Sequence, residues 1–176
     1  MPSKQCPLIH LLLVAGMLAL FPWSARAETE VDLALVLAVD VSVSMESEEQ
    51  ELQRQGFVEA FRSPEVQEAI RKGFLGRIAV EYVEWAGAAY QEVVVPWTVI
   101  GQPAEALGFA ARLAQSLPRR MGYTSISGAI DFSLRQLRES GVQSVRQVID
   151  ISGDGANNQG RMVTLARNEA WRQTQG

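Results

Sequence analysis

Residues 31–44, Val-Asp-Leu-Ala-Leu-Val-Leu-Ala-Val-Asp-Val-Ser-Val-Ser, decide how this chain folds. From Val31 to Val39 the run is apolar apart from Asp32, and Val and Leu dominate it. A strand buried on both faces reads this way. At its carboxyl end the run breaks into Asp40-x-Ser42-x-Ser44. Ser47-Glu48-Glu49-Gln50 then has capping-box form, Ser with Gln three on. A helix over 48–61 is expected, with Leu52, Val58 and Phe61 among its apolar positions. Ser63-Pro64 supplies an N-cap and a first-turn proline for a short second helix. That helix is expected to end near Lys72, before Gly73.

The same logic extends to the rest of the chain. Residues 77–85 and 91–100 read as strands, and Pro96 places the second at a sheet edge. Only about five residues separate them, and a parallel crossover needs about a dozen or more, so they are expected to pair antiparallel. Pro103 opens a helix with Leu107, Ala110, Ala111, Ala114 and Leu117 at helical spacing. Gly122 to Ser125 form a loop. Thr124 opens the next helix, which carries Ile126, Ala129, Ile130, Leu134 and Leu137 and ends at Gly141. Residues 145–151 are a fourth strand, 152–160 a turn-rich loop and 161–173 a helix. Strands alternating with helices mean an α/β domain with an open, Rossmann-like, three-layer sheet. Trp85, Trp97, Phe109 and Phe132 are expected as core or half-exposed packing.

The amino terminus has a separate character. Lys4 precedes an apolar stretch from Leu8 to Phe21, and Ala25-Arg26-Ala27 fits a small-x-small cleavage site. Residues 1–27 are therefore read as a signal peptide cut after Ala27, and residues 28–176 as the exported domain, secreted or periplasmic. The apolar stretch is short for a membrane span, which needs about 20 residues, and no later segment is long and apolar enough. Cleavage would remove Cys6 and His10, the only cysteine and the only histidine. What remains excludes disulfides, ordinary zinc sites and His-based catalytic triads. The chain has 16 Lys and Arg against 20 Asp and Glu, a net charge of −4, which argues against nucleic acid as a partner.

Any chemistry must then come from hydroxyls, carboxylates, amides and a hard cation. Asp40 and the Ser152-Gly153-Asp154-Gly155 loop each follow an apolar strand. In an open α/β sheet, ligands bind beyond the carboxyl ends of strands, where connections diverge to opposite faces. If strand one lies between the hairpin and strand four, Asp40 and Asp154 face one another across that crevice. Thr124, leading into strand four, can reach it too. Two carboxylates repel unless a cation sits between them. With the hydroxyls of Ser42, Ser44 and Thr124 they make an all-oxygen set suited to Mg²⁺, or to Mn²⁺ or Ca²⁺. Asp150, inside the fourth strand, is a lesser candidate. Singly, each of these residues also fits a turn or cap.

Together, Asp40-x-Ser42-x-Ser44, Thr124 and Asp154 resemble the metal-ion-dependent adhesion site of von Willebrand factor type A domains. The wording of residues 31–45, YVEWAG, GYTSISGAIDF and VIDISGDG resembles an uncharacterised branch of secreted bacterial proteins with that domain. The resemblance covers the first two-thirds of the fold and implies that two further strands follow, so that the chain is a fragment with an exposed fourth strand. It implies a binding module that is not an enzyme, in which an Asp or Glu carboxylate of a protein partner completes the metal shell. The usual Thr-Asp-Gly is here Ser152-Gly153-Asp154-Gly155, one residue longer.

Asp40 after an apolar strand and Gly153-Asp154-Gly155-Ala156-Asn157 also resemble haloacid dehalogenase phosphatases. That resemblance implies, as the alternative, a Mg²⁺-dependent phosphatase with Asp40 as nucleophile and Gly153-Asp154-Gly155 as its loop. Ser42 stands where that chemistry places its general acid, and no lysine lies between Thr124 and Asp154.

Overall fold

The apolar run becomes the inner part of β1 (Thr29–Asp40), and every residue from Val36 to Asp40 is buried. A computed structural model of the chain describes residues 28–117 and 119–174. The signal peptide assigned to residues 1–27 lies outside them. After β1 come α1 (Ser47–Arg62), α2 (Pro64–Arg71), β2 (Ile78–Trp85), β3 (Gln91–Ile100) and α3 (Pro103–Gln115). The chain continues through α4 (Ile126–Glu139), β4 (Val142–Ser152) and α5 (Val163–Thr174).

The strands form one sheet in the order β3-β2-β1-β4. β1 pairs parallel with β2 (Asp40 beside Trp85) and with β4 (Ala38 beside Ile151). β2 and β3 form the expected antiparallel hairpin. Pro96 is exposed on β3, an edge strand, where its missing N–H costs no ladder bond. A register shift between Val80 and Tyr82 places Pro96 and Trp97 opposite the single residue Glu81, a β-bulge. Among the described residues β4 is the other edge, bonded on its β1 side only.

Alternate residues of β1 serve the two faces. Leu37 and Val39 pack with Val58 and Phe61 of α1 and with Phe109 and Leu113 of α3. Ala34, Val36 and Ala38 pack with Ala129 and Leu137 of α4. Helices on both faces make three layers. Phe109 and Leu113 are fully buried, and each contributes on the order of 2 kcal/mol of apolar transfer. Trp85 is fully buried, whereas Trp97 and Phe132 are partly buried against the second cluster.

Several local expectations are corrected. The N-cap of α1 is Glu46, not Ser47, and Glu46 and Glu49 close the capping box. Leu52 of α1 is exposed, while Gln50 and Arg54 are buried. Both have polar partners: Gln50 reaches the Ser42 carbonyl at 3.3 Å and Arg54 pairs with Glu84 of β2. In α3 the buried stripe is Ala106, Phe109, Ala110 and Leu113, so Leu107 and Leu117 are not core. The helix ends at Gln115 because Ser116 is extended (ψ 142°). The helix after the 122–125 loop is capped by Ser125, whose Oγ accepts from Gly128 N at 3.2 Å; Thr124 lies one residue outside it. β4 begins three residues before 145, because Thr29 and Glu30 of β1 pair with Val142 and Gln143.

Candidate metal site

β1 ends at Asp40, which is 0% exposed. The backbone turns at once, and Ser42 N donates to Asp40 Oδ1 at 2.7 Å, an Asx-type bond. Ser42 Oγ and Ser44 Oγ lie 2.6 Å apart. Thr124 Oγ1 donates to Ser42 Oγ at 3.3 Å. The structure therefore brings four of the five sequence-derived residues into one hydrogen-bonded group at the carboxyl end of β1. The Thr124 loop is held there by backbone bonds: Val43 N donates to Met121 O at 2.9 Å and Met121 N to Val41 O at 3.0 Å.

The loop after β4 lies over this group. A Cβ added to Gly153 would come within 2.8 Å of Asp40 Oδ2, and one added to Gly155 within 3.0 Å of both Ser44 Oγ and Thr124 Oγ1. Gly153 lets the backbone approach Asp40 more closely than a side chain would allow, and at Gly155 a Cβ would sit tightly against the two hydroxyls. Asp154, between them, is exposed, and its charge pushes the Asp40 carboxyl upward. Burial is the larger cause of that shift, and the bonds from Ser42 oppose it. Asp150 sits on the opposite side of β4 from Ile149 and Ile151, beside Leu37, and is exposed away from the group.

Two observations bear on a cation. Asp40 Oδ2 is buried and has no hydrogen-bond partner, at the wall that Gly153 leaves open. A buried carboxylate oxygen without a partner is costly unless a positive charge reaches it. The side-chain donors of the group joined to Asp40, the hydroxyls of Ser42, Ser44 and Thr124, are all hard oxygens. Among the described residues no three His, Cys, Asp or Glu side chains gather into a metal-ligating group, so any cation here would rely on hydroxyls as well as acids.

Sequence reading missed the residues that hold Thr124. Asn158 Oδ1 accepts from Thr124 N at 2.9 Å, and Thr124 O accepts from Asn158 N at 2.9 Å and Gln159 N at 3.2 Å. Asn157 Oδ1 accepts from Ser127 N at 3.2 Å, and Gln159 Oε1 from Ala88 N at 3.0 Å. The turn-rich composition of residues 152–160 marked a loop, but nothing in it marked a clamp.

Comparison with solved structures places the fold. Proximal thread matrix protein 1 from the mussel byssus aligns at 14% identity and a TM-score of 0.60, over 84% of this chain and 36% of that one. A structure of that protein with a zinc-occupied MIDAS motif aligns at 13% identity and 0.59, over 84% and 37%. BatB from Bacteroides thetaiotaomicron aligns at 18% identity and 0.54, over 81% and 62%. The chain thus spans between about a third and just under two thirds of these structures. The open sheet with helices on both faces is a von Willebrand factor type A fold. Residues 30–174 match the family described as "Protein of unknown function (DUF1194)", and the chain belongs to that family. No curated protein matches the sequence. Among the described residues no helix is long and apolar enough to cross a membrane.

Proposed function

We propose that this chain is a divalent-cation-dependent protein-binding module, exported from a bacterial cell, that holds its cation at Asp40, Ser42, Ser44, Thr124 and Asp154. The observation that carries the reading is the buried Asp40 carboxylate, its Oδ2 without a partner, joined through Ser42 to three converging hydroxyls. Asp40 and Asp154 supply charge, and the hydroxyls supply neutral oxygens. Mg²⁺ suits such a set, as do Mn²⁺ and Ca²⁺, and Mg²⁺ usually keeps some ligand positions for water. A carboxylate of a protein partner takes one of these. The zinc-occupied site of the mussel protein belongs to a chain with the same fold and supports the placement.

Nothing in the geometry favours the phosphatase alternative. Lys72, the sole lysine after residue 27, follows α2 and is paired with Glu68 at 2.9 Å. It lies next to Gly73, which abuts Asp32 near the start of β1. Asp40 is eight residues further along that strand, on the order of 25 Å away at about 3.3 Å per residue. Among the described residues, the site thus has no lysine of the kind phosphoryl transfer uses for charge stabilisation.

The test is calorimetric titration of Mn²⁺ and Mg²⁺ into the chain and its Asp40→Asn variant. Wild type should bind, and the variant should lose at least about tenfold in affinity, the lower end of what even outer-shell changes cost. Equal affinity in both would overturn the assignment. Phosphate-ester turnover abolished by Asp40→Asn would support the enzyme instead.

A further inference from the structure

Three large apolar or aromatic residues beside the oxygen donors face solvent, whereas Val41, between Asp40 and Ser42, is buried. Val43, between Ser42 and Ser44, is 56% exposed; Met121, bonded through its backbone to Val43, is 36% exposed; Tyr123, next to Thr124, is 63% exposed. Single exposed apolar side chains are ordinary, but a cluster rimmed by polar groups marks a contact surface. Tyr123 also has φ of 67°, the described non-glycine residue with a positive φ. A bulky residue in the left-handed region costs on the order of 1–2 kcal/mol, and such outliers concentrate at functional sites. Gly87 makes room for it, since a Cβ there would lie 3.2 Å from Tyr123 Cβ.

Charge adds a second element to the rim. Arg120 Nη2 donates to the carbonyls of Val43 at 3.2 Å and Met45 at 3.1 Å, which fixes the guanidinium over the loop that carries Ser44. Those partners are neutral, and among the described residues Arg120 has no carboxylate within ion-pair distance. The adjacent acids Glu46 and Glu49 are engaged with backbone N–H groups in the α1 capping box. A guanidinium carries five donors, so Arg120 retains capacity for an incoming anion.

We infer that the Val43–Met121–Tyr123 shelf and Arg120 select an acidic peptide segment in which the metal-coordinating carboxylate is followed by an apolar side chain and then a second acid. The inference rests on the metal-site reading above and specifies its partner. The first carboxylate meets the cation, the apolar side chain covers the shelf, and the second carboxylate pairs with Arg120. A tyrosine suits this role, because it offers a large contact area with few torsions to immobilise.

Three fluorescein-labelled, amidated peptides test it against the full chain with and without Mn²⁺: Gly-Ser-Glu-Gly-Ser-Gly, Gly-Ser-Glu-Leu-Ser-Gly and Gly-Ser-Glu-Leu-Glu-Gly. Anisotropy should show binding only with Mn²⁺, with the last peptide at least about tenfold tighter than the first. Met121→Ser should remove the gain from leucine and Arg120→Gln the gain from the second glutamate. Arg120→Lys, which keeps the charge, should retain part of it. Mn²⁺ affinity should be unchanged in all three variants. Equal binding of the three peptides by a chain that takes up Mn²⁺ overturns the rim assignment alone. Failure to take up Mn²⁺ overturns the metal site and the rim together.

Discussion

Thr124 Oγ1 and Ser42 Oγ are 3.3 Å apart although 82 residues separate them in the chain. The contact ties the loop before α4 to the end of β1, and both hydroxyls belong to the candidate donor set. Thr124→Val keeps the shape and removes the oxygen. It should lower Mn²⁺ affinity about tenfold, with the melting temperature within a few degrees of wild type. Unchanged affinity by calorimetry would exclude Thr124 from the donor set.

Gly155→Ala tests the cradle from the opposite direction. Its Cβ would enter the space 3.0 Å from Ser44 Oγ and Thr124 Oγ1, where a cation or its water must fit. Metal uptake should fall by at least about tenfold, while circular dichroism remains that of wild type. Alanine at the helical and open position Gly108, where an added Cβ meets nothing within 4 Å, is the control and should leave uptake intact.

The fold was largely legible because its signals are local. Val31 to Val39, rich in Val and Leu, reads as a buried strand, and the short link between β2 and β3 left no room for a parallel crossover. Placing Asp40, Ser42, Ser44 and Thr124 together followed from the switch-point argument, which needs only strand order. What sequence could not supply came from contacts distant in the chain. Arg54 is buried because Glu84 waits on another strand, so α1 does not follow its apolar spacing at Leu52. Asn158 reads as a turn residue until Thr124 is seen beside it.

Glu81 offers a pH-dependent signature. It is 2% exposed, and burial pushes its carboxyl from 4.5 up to about 7, opposed by a bond from the Trp97 backbone. A carboxyl raised in the folded state favours folding fully below its unfolded value. That contribution fades as pH climbs from about 4.5 to about 7. Glu81→Gln should therefore gain on wild type across that window, by up to about 3 kcal/mol at pH 8. Urea melts of both proteins at pH 4.5 and 8 read the difference directly, and a pH-independent difference would contradict the assignment.

Arg54 and Glu84 form a buried pair whose side chains are 5% and 2% exposed. Burial pushes the Glu84 carboxyl up, and Arg54 holds it back. Glu84→Ala leaves a buried guanidinium uncompensated and should cost about 3–5 kcal/mol in chemical denaturation. Arg54→Met combined with Glu84→Leu should recover most of that loss. If the double variant is as unstable as the single one, the penalty comes from packing and not from orphaned charge.

The two flanks of the sheet are unequal. β3 interrupts its own outer row of amides with Pro96, whereas β4 offers an unbroken one from Val142 to Ser152. Any added β-structure would dock most readily on the β4 flank, so growth of this sheet has a built-in direction, away from the hairpin.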